Sequence, residues 1–193
     1  MVEHKRAAMI GRLFQDPVKG TAPDLTIEEN LALAYNRKSK NGLRIGVHRQ
    51  DVEVFREKLA QLDMGLENRL KTKVGLLSGG QRQALSLLMA TIGKPRLLLL
   101  DEHTAALDPA SAEKIMLITN HIVSQESITT MMITHNIQSA LKTGSRTIML
   151  DCGKIILDIS GQERADMTVP RLMELFSQQS KNALDNDRML FVK

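Results

Sequence analysis

The chain has 193 residues, 42% hydrophobic and 25% charged, with a formal net charge of +4. Against roughly 100 to 200 residues per domain this predicts one domain able to bury a core, and it excludes a fibrous or intrinsically disordered chain. Residues 1–73 carry 14 Lys/Arg against 10 Asp/Glu and residues 74–193 carry 12 against 12, yet aromatics are only 3% and no basic run occurs, so the charges read as a solvated surface and not a nucleic-acid face.

No apolar block of signal-peptide length follows the N-terminal Met-Val-Glu-His-Lys-Arg, and the longest aliphatic stretch, Leu97 to Leu100, is far short of the ~20 residues that span a bilayer. The single cysteine, Cys152, cannot close an internal disulfide and is expected to be a buried small hydrophobe in a reducing, cytoplasmic setting. Residues 6–14 predict a short strand that breaks at Gln15-Asp16-Pro17, since proline disfavours a helical predecessor. Thr26 ahead of Ile27-Glu28-Glu29, with apolar residues at Ile27, Leu31 and Ala34, predicts a helix over 27–37. Residues 38–47 read as a basic, glycine-containing connector. Residues 51–64, with Val54, Leu59 and Leu62 set among charges, read as a second helix. The stretch 24–73 is thus a small helical lobe.

From residue 78 the pattern changes to helices alternating with apolar strands: helix 80–92, strand 96–101, helix 110–124, strand 128–133, helix 136–143, strand 146–151. Such alternation predicts a parallel sheet with crossover helices. Asp151-Cys152-Gly153-Lys154 reads as a tight hairpin turn into a last strand, 154–159, and residues 168–179 as a short amphipathic helix with Val169, Leu172, Met173 and Phe176 on one side.

Three segments carry possible chemistry. In Leu76-Leu77-Ser78-Gly79-Gly80-Gln81 a serine and two glycines precede a helix, so backbone N–H groups and the helix dipole suit a phosphate; the same residues also suit an ordinary cap with Ser78 as N-cap. Leu97 to Leu100 ends in two adjacent carboxylates, Asp101 and Glu102, at the strand end where such sheets bind ligands, and acids there can hold Mg²⁺ or orient an attacking water. Thr130 to Ile133 ends at Thr134-His135, near the same edge of the expected sheet.

Together these residues resemble the nucleotide-binding subunit of an ABC transporter. Leu77-Ser78-Gly79-Gly80-Gln81 matches the signature motif, Leu97 to Asp101 the Walker B strand, Glu102 the catalytic carboxylate, Ala106-Leu107-Asp108 the D-loop, His135 the switch histidine, and Phe14-Gln15-Asp16-Pro17 the Q-loop. The narrower likeness of Gly11 to Tyr35 and of Asp101 to Pro109 is to an importer subgroup placed beside amino-acid uptake systems. His103 stands where most of the family has proline.

The resemblance implies a P-loop NTPase-like α/β fold whose sheet is incomplete at the N-terminus. Its parts would be the Q-loop strand at 7–15, the helical lobe at 24–73, the signature, Walker B, D-loop and switch core at 74–160, and a C-terminal helix and tail at 161–193. It implies ATP and Mg²⁺ as cofactors and a head-to-tail dimer with a second ABC ATPase subunit, each ATP sandwiched between one phosphate loop and the other subunit's signature motif. Ser78, Gly79, Gly80 and Gln81 would then serve the nucleotide held by the other subunit, and Asp108 would lie at the dimer interface. Asp101 and Gln15 would hold Mg²⁺, Glu102 would activate water, His135 would sense the γ-phosphate, and Gln15 would link metal and water to the membrane subunit. Transmembrane permease subunits and a solute-binding protein are the further partners implied, with attachment to the cytoplasmic face of the membrane through the permease.

The family also uses a Walker A loop, Gly-x-x-x-x-Gly-Lys-Ser/Thr, and no glycine of the 193 residues opens one. Only 14 residues precede Gln15, so the chain resembles the C-terminal two-thirds of such a subunit. Two expectations follow: MgATP affinity and hydrolysis by this chain alone collapse, and the apolar strands at Leu97–Leu100 and Met131–Ile133 lose a neighbour and expose apolar surface. The competing expectation is a non-catalytic subunit that donates its signature motif to the ATP site of a complete partner. Chromosome-maintenance ATPases insert long coiled coils before the signature, whereas Gln15 and Ser78 are 63 positions apart without sustained heptads.

Overall fold

The structure, a computed structural model, describes residues 2, 6–36, 47 and 49–178. The connector expected at 38–47, apart from Val47, and the tail beyond residue 178 lie outside the described residues. Two compact units divide the chain, Met1–Ile133 and Thr134–Lys193.

In the first unit β1 spans Ile10–Leu13, shorter than the strand expected at 6–14. Residues 6 and 7 are helical, and the amides of Arg96 and Leu97 both donate to the Met9 carbonyl at 2.8 and 3.2 Å. Pairing starts there because Pro95, one residue earlier, has no N–H to extend it. Helix α1 (Ile27–Tyr35) opens with a reciprocal cap: Thr26 Oγ1 accepts from the Glu29 amide at 3.3 Å, and the Glu29 carboxylate accepts from the Thr26 amide at 2.7 Å. Ile27 and Leu31, one turn apart on its inner face, are fully buried. Helix α2 (Arg49–Ala60) adds Phe55 and Leu59, and the Tyr35 ring meets Phe55 edge-on with centroids 5.7 Å apart.

Helix α3 (Gly79–Thr91) carries the buried Ala84, Leu85, Leu87 and Leu88. It runs so close to β1 that a Cβ at Gly11 would stand 2.5 Å from the Ala90 carbonyl oxygen. Strand β2 (Leu97–Asp101), helix α4 (Pro109–Gln125) and strand β3 (Thr129–Ile133) complete the unit. The sheet is parallel in the order β1-β2-β3, with Ile10 opposite Leu97 and Asp101 opposite Ile133. One apolar cluster joins Leu13, Leu98 and Leu100 of the sheet to Leu85, Ile115, Ile27, Leu31, Phe55 and Leu66, so α1 and α2 pack on the same core as the sheet.

Strand β2 therefore keeps a neighbour on each side, and Leu98 and Leu100 are buried; the loss of a neighbour expected for Leu97–Leu100 does not occur. Among the described residues β1 and β3 form the two edges, and on β3 Met131 and Ile133 are 56% and 55% exposed.

In the second unit helix α5 (Ile137–Lys142) precedes β4 (Arg146–Asp151) and β5 (Lys154–Ser160), followed by α6 (Gly161–Ala165) and a helix α7 over 169–178. Strand β4, which the alternation placed in the parallel sheet, lies outside it and pairs antiparallel with β5, as the hairpin turn expected at 151–154 requires. The turn explains it: Cys152 and Gly153 both have positive φ, 45° and 75°, the geometry of a tight two-residue hairpin loop that returns the chain onto its own strand. That turn also puts Cys152 at the surface, where a buried thiol was expected. Arg164 ties the unit together, donating to the carbonyls of Leu141 and Thr143 at 2.8 and 2.7 Å and to Thr147 Oγ1 at 2.9 Å.

Candidate functional site

Parallel strands place their carboxyl ends side by side, and here β1 and β2 deliver four polar side chains to one edge. Gln15, two residues beyond β1, donates from Nε2 to Glu102 Oε2 at 3.2 Å. Asp101, the last residue of β2, faces Arg12 Nη2 at 3.6 Å, and the Arg12 guanidinium lies 4.6 Å above the Phe14 ring. The Arg12–Asp101 pair is about half exposed on both sides and contributes little stability, but it sets a cation beside the carboxylate. Arg12 is absent from the sequence reading because its proximity depends on the register, which sets Arg12 opposite Leu99 and so diagonal to Asp101.

Glu102 sits in the left-handed region, φ 45°, unusual for a residue with a side chain. Its amide donates to the Ile133 carbonyl at 3.0 Å. The next residue, His103, is 2% exposed, with Nε2 3.2 Å from Thr119 Oγ1, and burial pushes its pKa down to about 4. His103 is thus a neutral, packed residue and not a solvent-facing one.

A second group of residues gathers around the start of α3. Ser78 Oγ accepts from the Gln81 amide and the Gln81 side chain accepts from the Ser78 amide, both at 3.3 Å, a complete capping box. Gln81 Nε2 also donates to the Met64 carbonyl at 3.3 Å, and Arg82 Nη2 donates to the Gly75 and Leu77 carbonyls at 3.0 and 3.3 Å, which secures the loop ahead of the helix. Cβ atoms at Gly79 and Gly80 would meet Leu107 Cδ2 at 3.5 Å and Ser111 Oγ at 3.2 Å. The glycines therefore abut the segment that holds Asp108. Asp108 itself caps α4, its Oδ1 accepting from the Ser111 amide at 3.0 Å, and hydrogen bonding by Ser111 holds its carboxyl below the ordinary value.

The first unit thus brings Gln15, Asp101 and Glu102 to one edge, and Ser78, Gly79, Gly80, Gln81 and the Asp108 segment to the start of α3. His135 belongs to the second unit, exposed in the turn ahead of α5, where Asn136 Oδ1 caps the helix by accepting from the Ser139 amide at 2.9 Å.

Among the described residues no three or more His, Cys, Asp or Glu gather as a cation site would require. The carboxylates of Asp101 and Glu102 and the amide of Gln15 are hard oxygen donors, which fits Mg²⁺ held jointly with phosphate oxygens and water and not by a dedicated protein cage. The exposed helix start at Ser78–Gly79 fits an anion, while a Gly-x-x-x-x-Gly-Lys-Ser/Thr cradle does not occur in the 193 residues.

A family model described as ABC transporter matches residues 2–105. The "Tyrosine transport ATP-binding protein" of Clostridioides difficile (strain R20291) is 42% identical over 176 residues, covering 91% of this chain and 70% of that protein. The "High-affinity branched-chain amino acid transport ATP-binding protein BraG" of Pseudomonas aeruginosa is 31% identical over 79% of this chain and 60% of its own length. The dimeric post-hydrolysis structure of the ATP-binding cassette MJ0796 bound to ADP and Pi matches with a TM-score of 0.64 at 29% identity, over 81% of this chain and 65% of that one. The chain thus spans 60% to 70% of the length of these proteins.

Proposed function

Because the chain belongs to the ABC transporter family, we propose that it works in the ATP-binding layer of a solute importer, supplying the signature motif and the water-activating edge of a nucleotide sandwich. Relatives whose names describe transport ATP-binding proteins support the importer role. The observation that carries the reading is the Gln15–Glu102 hydrogen bond, 3.2 Å between residues 87 positions apart. It sets an amide donor against the carboxylate that follows the strand-end Asp101, while the next residue, His103, is neutral and buried.

In this reading Glu102 orients a water and accepts its proton, and Gln15 Nε2 keeps that carboxylate turned to the strand ends. Asp101 and Gln15 would hold Mg²⁺, which when bound neutralises charge on phosphoryl oxygens. The N–H groups at Gly79 and Gly80 and the Ser78 hydroxyl bind the phosphates of a nucleotide carried by another subunit. His135 senses the γ-phosphate, and Asp108 lies at the subunit interface. Permease subunits and a solute-binding protein complete the assembly, with this subunit docked on the cytoplasmic face of the membrane. Among the described residues no helix is long and apolar enough to cross a membrane.

A second reading is favoured by one observation, that these 193 residues hold no Walker A sequence. On that reading the chain donates its signature motif to a complete partner while its own edge stays without nucleotide. Both readings give the same first result: the 193-residue chain alone does not turn over ATP. Turnover that Glu102→Gln abolishes would overturn it.

A further inference from the structure

Gln83, on α3, is fully buried, yet its side chain serves two other segments. Its Nε2 donates to the His103 carbonyl at 2.5 Å and reaches the Phe14 carbonyl at 3.5 Å. Those carbonyls belong to the residue directly after Glu102 and the residue directly before Gln15. Gln83 Oε1, by contrast, is buried without a hydrogen-bond partner among the described residues. A side chain chosen for packing alone would not carry that desolvation cost, since an apolar chain of equal length fills the space without it.

Glu102 needs holding. Its φ of 45° lies in a region that a glutamate enters only where the surroundings impose it. From the N-terminal side the Glu102 amide is fixed on the Ile133 carbonyl. On the other side the Glu102 carbonyl accepts from the Ala105 amide at 2.9 Å, and Gln83, on the His103 carbonyl, and Thr119, on the His103 ring, fix the next residue.

We infer that Gln83 is a positioning residue for the Gln15–Glu102 pair: one buried amide fixes the backbone beside both residues and ties them to the helix that begins at Ser78. Gln83 matters for catalysis in this way only if Gln15 and Glu102 have the roles proposed above. Displacement of α3 by an anion at its start would then reach the carboxylate edge through this buried side chain as well as through the packing of α3 on β1.

Gln83→Met tests this, because methionine keeps the reach and the volume but cannot donate. In native-state hydrogen exchange of the 193-residue chain, the Glu102 amide is expected to exchange at least ~10-fold faster in the variant, by local opening. The Gln15 side-chain amide resonances should move toward their solvent-exposed positions, while the amides of Leu85 to Leu88 in α3 keep their protection. An unchanged Glu102 amide would overturn the inference. So would equal acceleration at Glu102 and in α3, which marks Gln83 as packing alone. Should the variant not fold, the unaltered chain still decides: a through-hydrogen-bond coupling between Gln83 Nε2 and the His103 carbonyl carbon is expected, and its absence overturns the inference. None of these readouts uses nucleotide, so a chain that hydrolyses ATP alone would overturn the proposed function and leave this result standing.

Discussion

The His103 ring nitrogen Nε2 lies 3.2 Å from Thr119 Oγ1, and both residues are 2% exposed. Thr119 already donates its proton to the Ile115 carbonyl at 2.7 Å, so its oxygen accepts from the ring, which fixes the neutral Nε2–H tautomer. Burial lowers this histidine from 6.5 to about 4. Between those values the unfolded chain binds a proton at His103 and the folded chain does not. Stability is therefore expected to fall as pH drops from about 6.5 to about 4, by on the order of 3 kcal/mol for this group, and to lose nothing more from it below. Urea unfolding at pH 7 and pH 4.5 checks this with His103→Gln, which cannot titrate. The unaltered chain should lose more stability on acidification than the variant, and equal losses would contradict the assignment.

Gly11→Ala places a methyl group 2.5 Å from the Ala90 carbonyl oxygen, a backbone atom that cannot rotate away. Overpacking of this kind costs about 1–3 kcal/mol. The urea midpoint of the first unit should fall with no change in slope, and an unchanged midpoint would mean that β1 and α3 separate without cost.

Ser78 has two roles that substitutions can pull apart. Ser78→Ala removes the cap acceptor for the Gln81 amide and should cost about 1 kcal/mol of stability. Ser78→Asp keeps a cap acceptor and favours the helix dipole, so stability should be close to that of the unaltered chain. It also sets a negative charge where the proposed function puts a phosphate, and nucleotide-dependent association should be lost. Thermal unfolding and an association assay on the same two variants read the roles separately; association retained by Ser78→Asp would remove the phosphate from this helix start.

What the sequence made legible was local. The N-cap at Ser78, the helix start at Thr26 with Glu28 and Glu29 in its first turn, and the carboxylates ending β2 are spacings of three residues or fewer, and each is where the pattern put it. The misplacements were of pairing. Residues 6–8 read as strand by composition, but the partner strand begins only after Pro95. Residues 146–151 read as a fourth parallel strand by alternation with helices and, by the hairpin turn at 151–154, as a partner of the strand that follows; the two signals disagreed, and the turn prevailed. The same turn exposed a cysteine that composition placed inside. Arg12 beside Asp101 and Gln83 beside His103 were invisible for a related reason: both contacts exist only once register and helix packing are set.

The most direct measurement is sedimentation velocity of the 193-residue chain mixed with a complete ABC ATP-binding subunit that carries a Walker A loop and is blocked in hydrolysis. With MgATP a heterodimer should form; without nucleotide, or with Ser78→Arg in this chain, the two should sediment separately. A mixture that stays monomeric in MgATP, or a complex that Ser78→Arg leaves intact, would contradict the account that this chain supplies the signature side of an ATP sandwich.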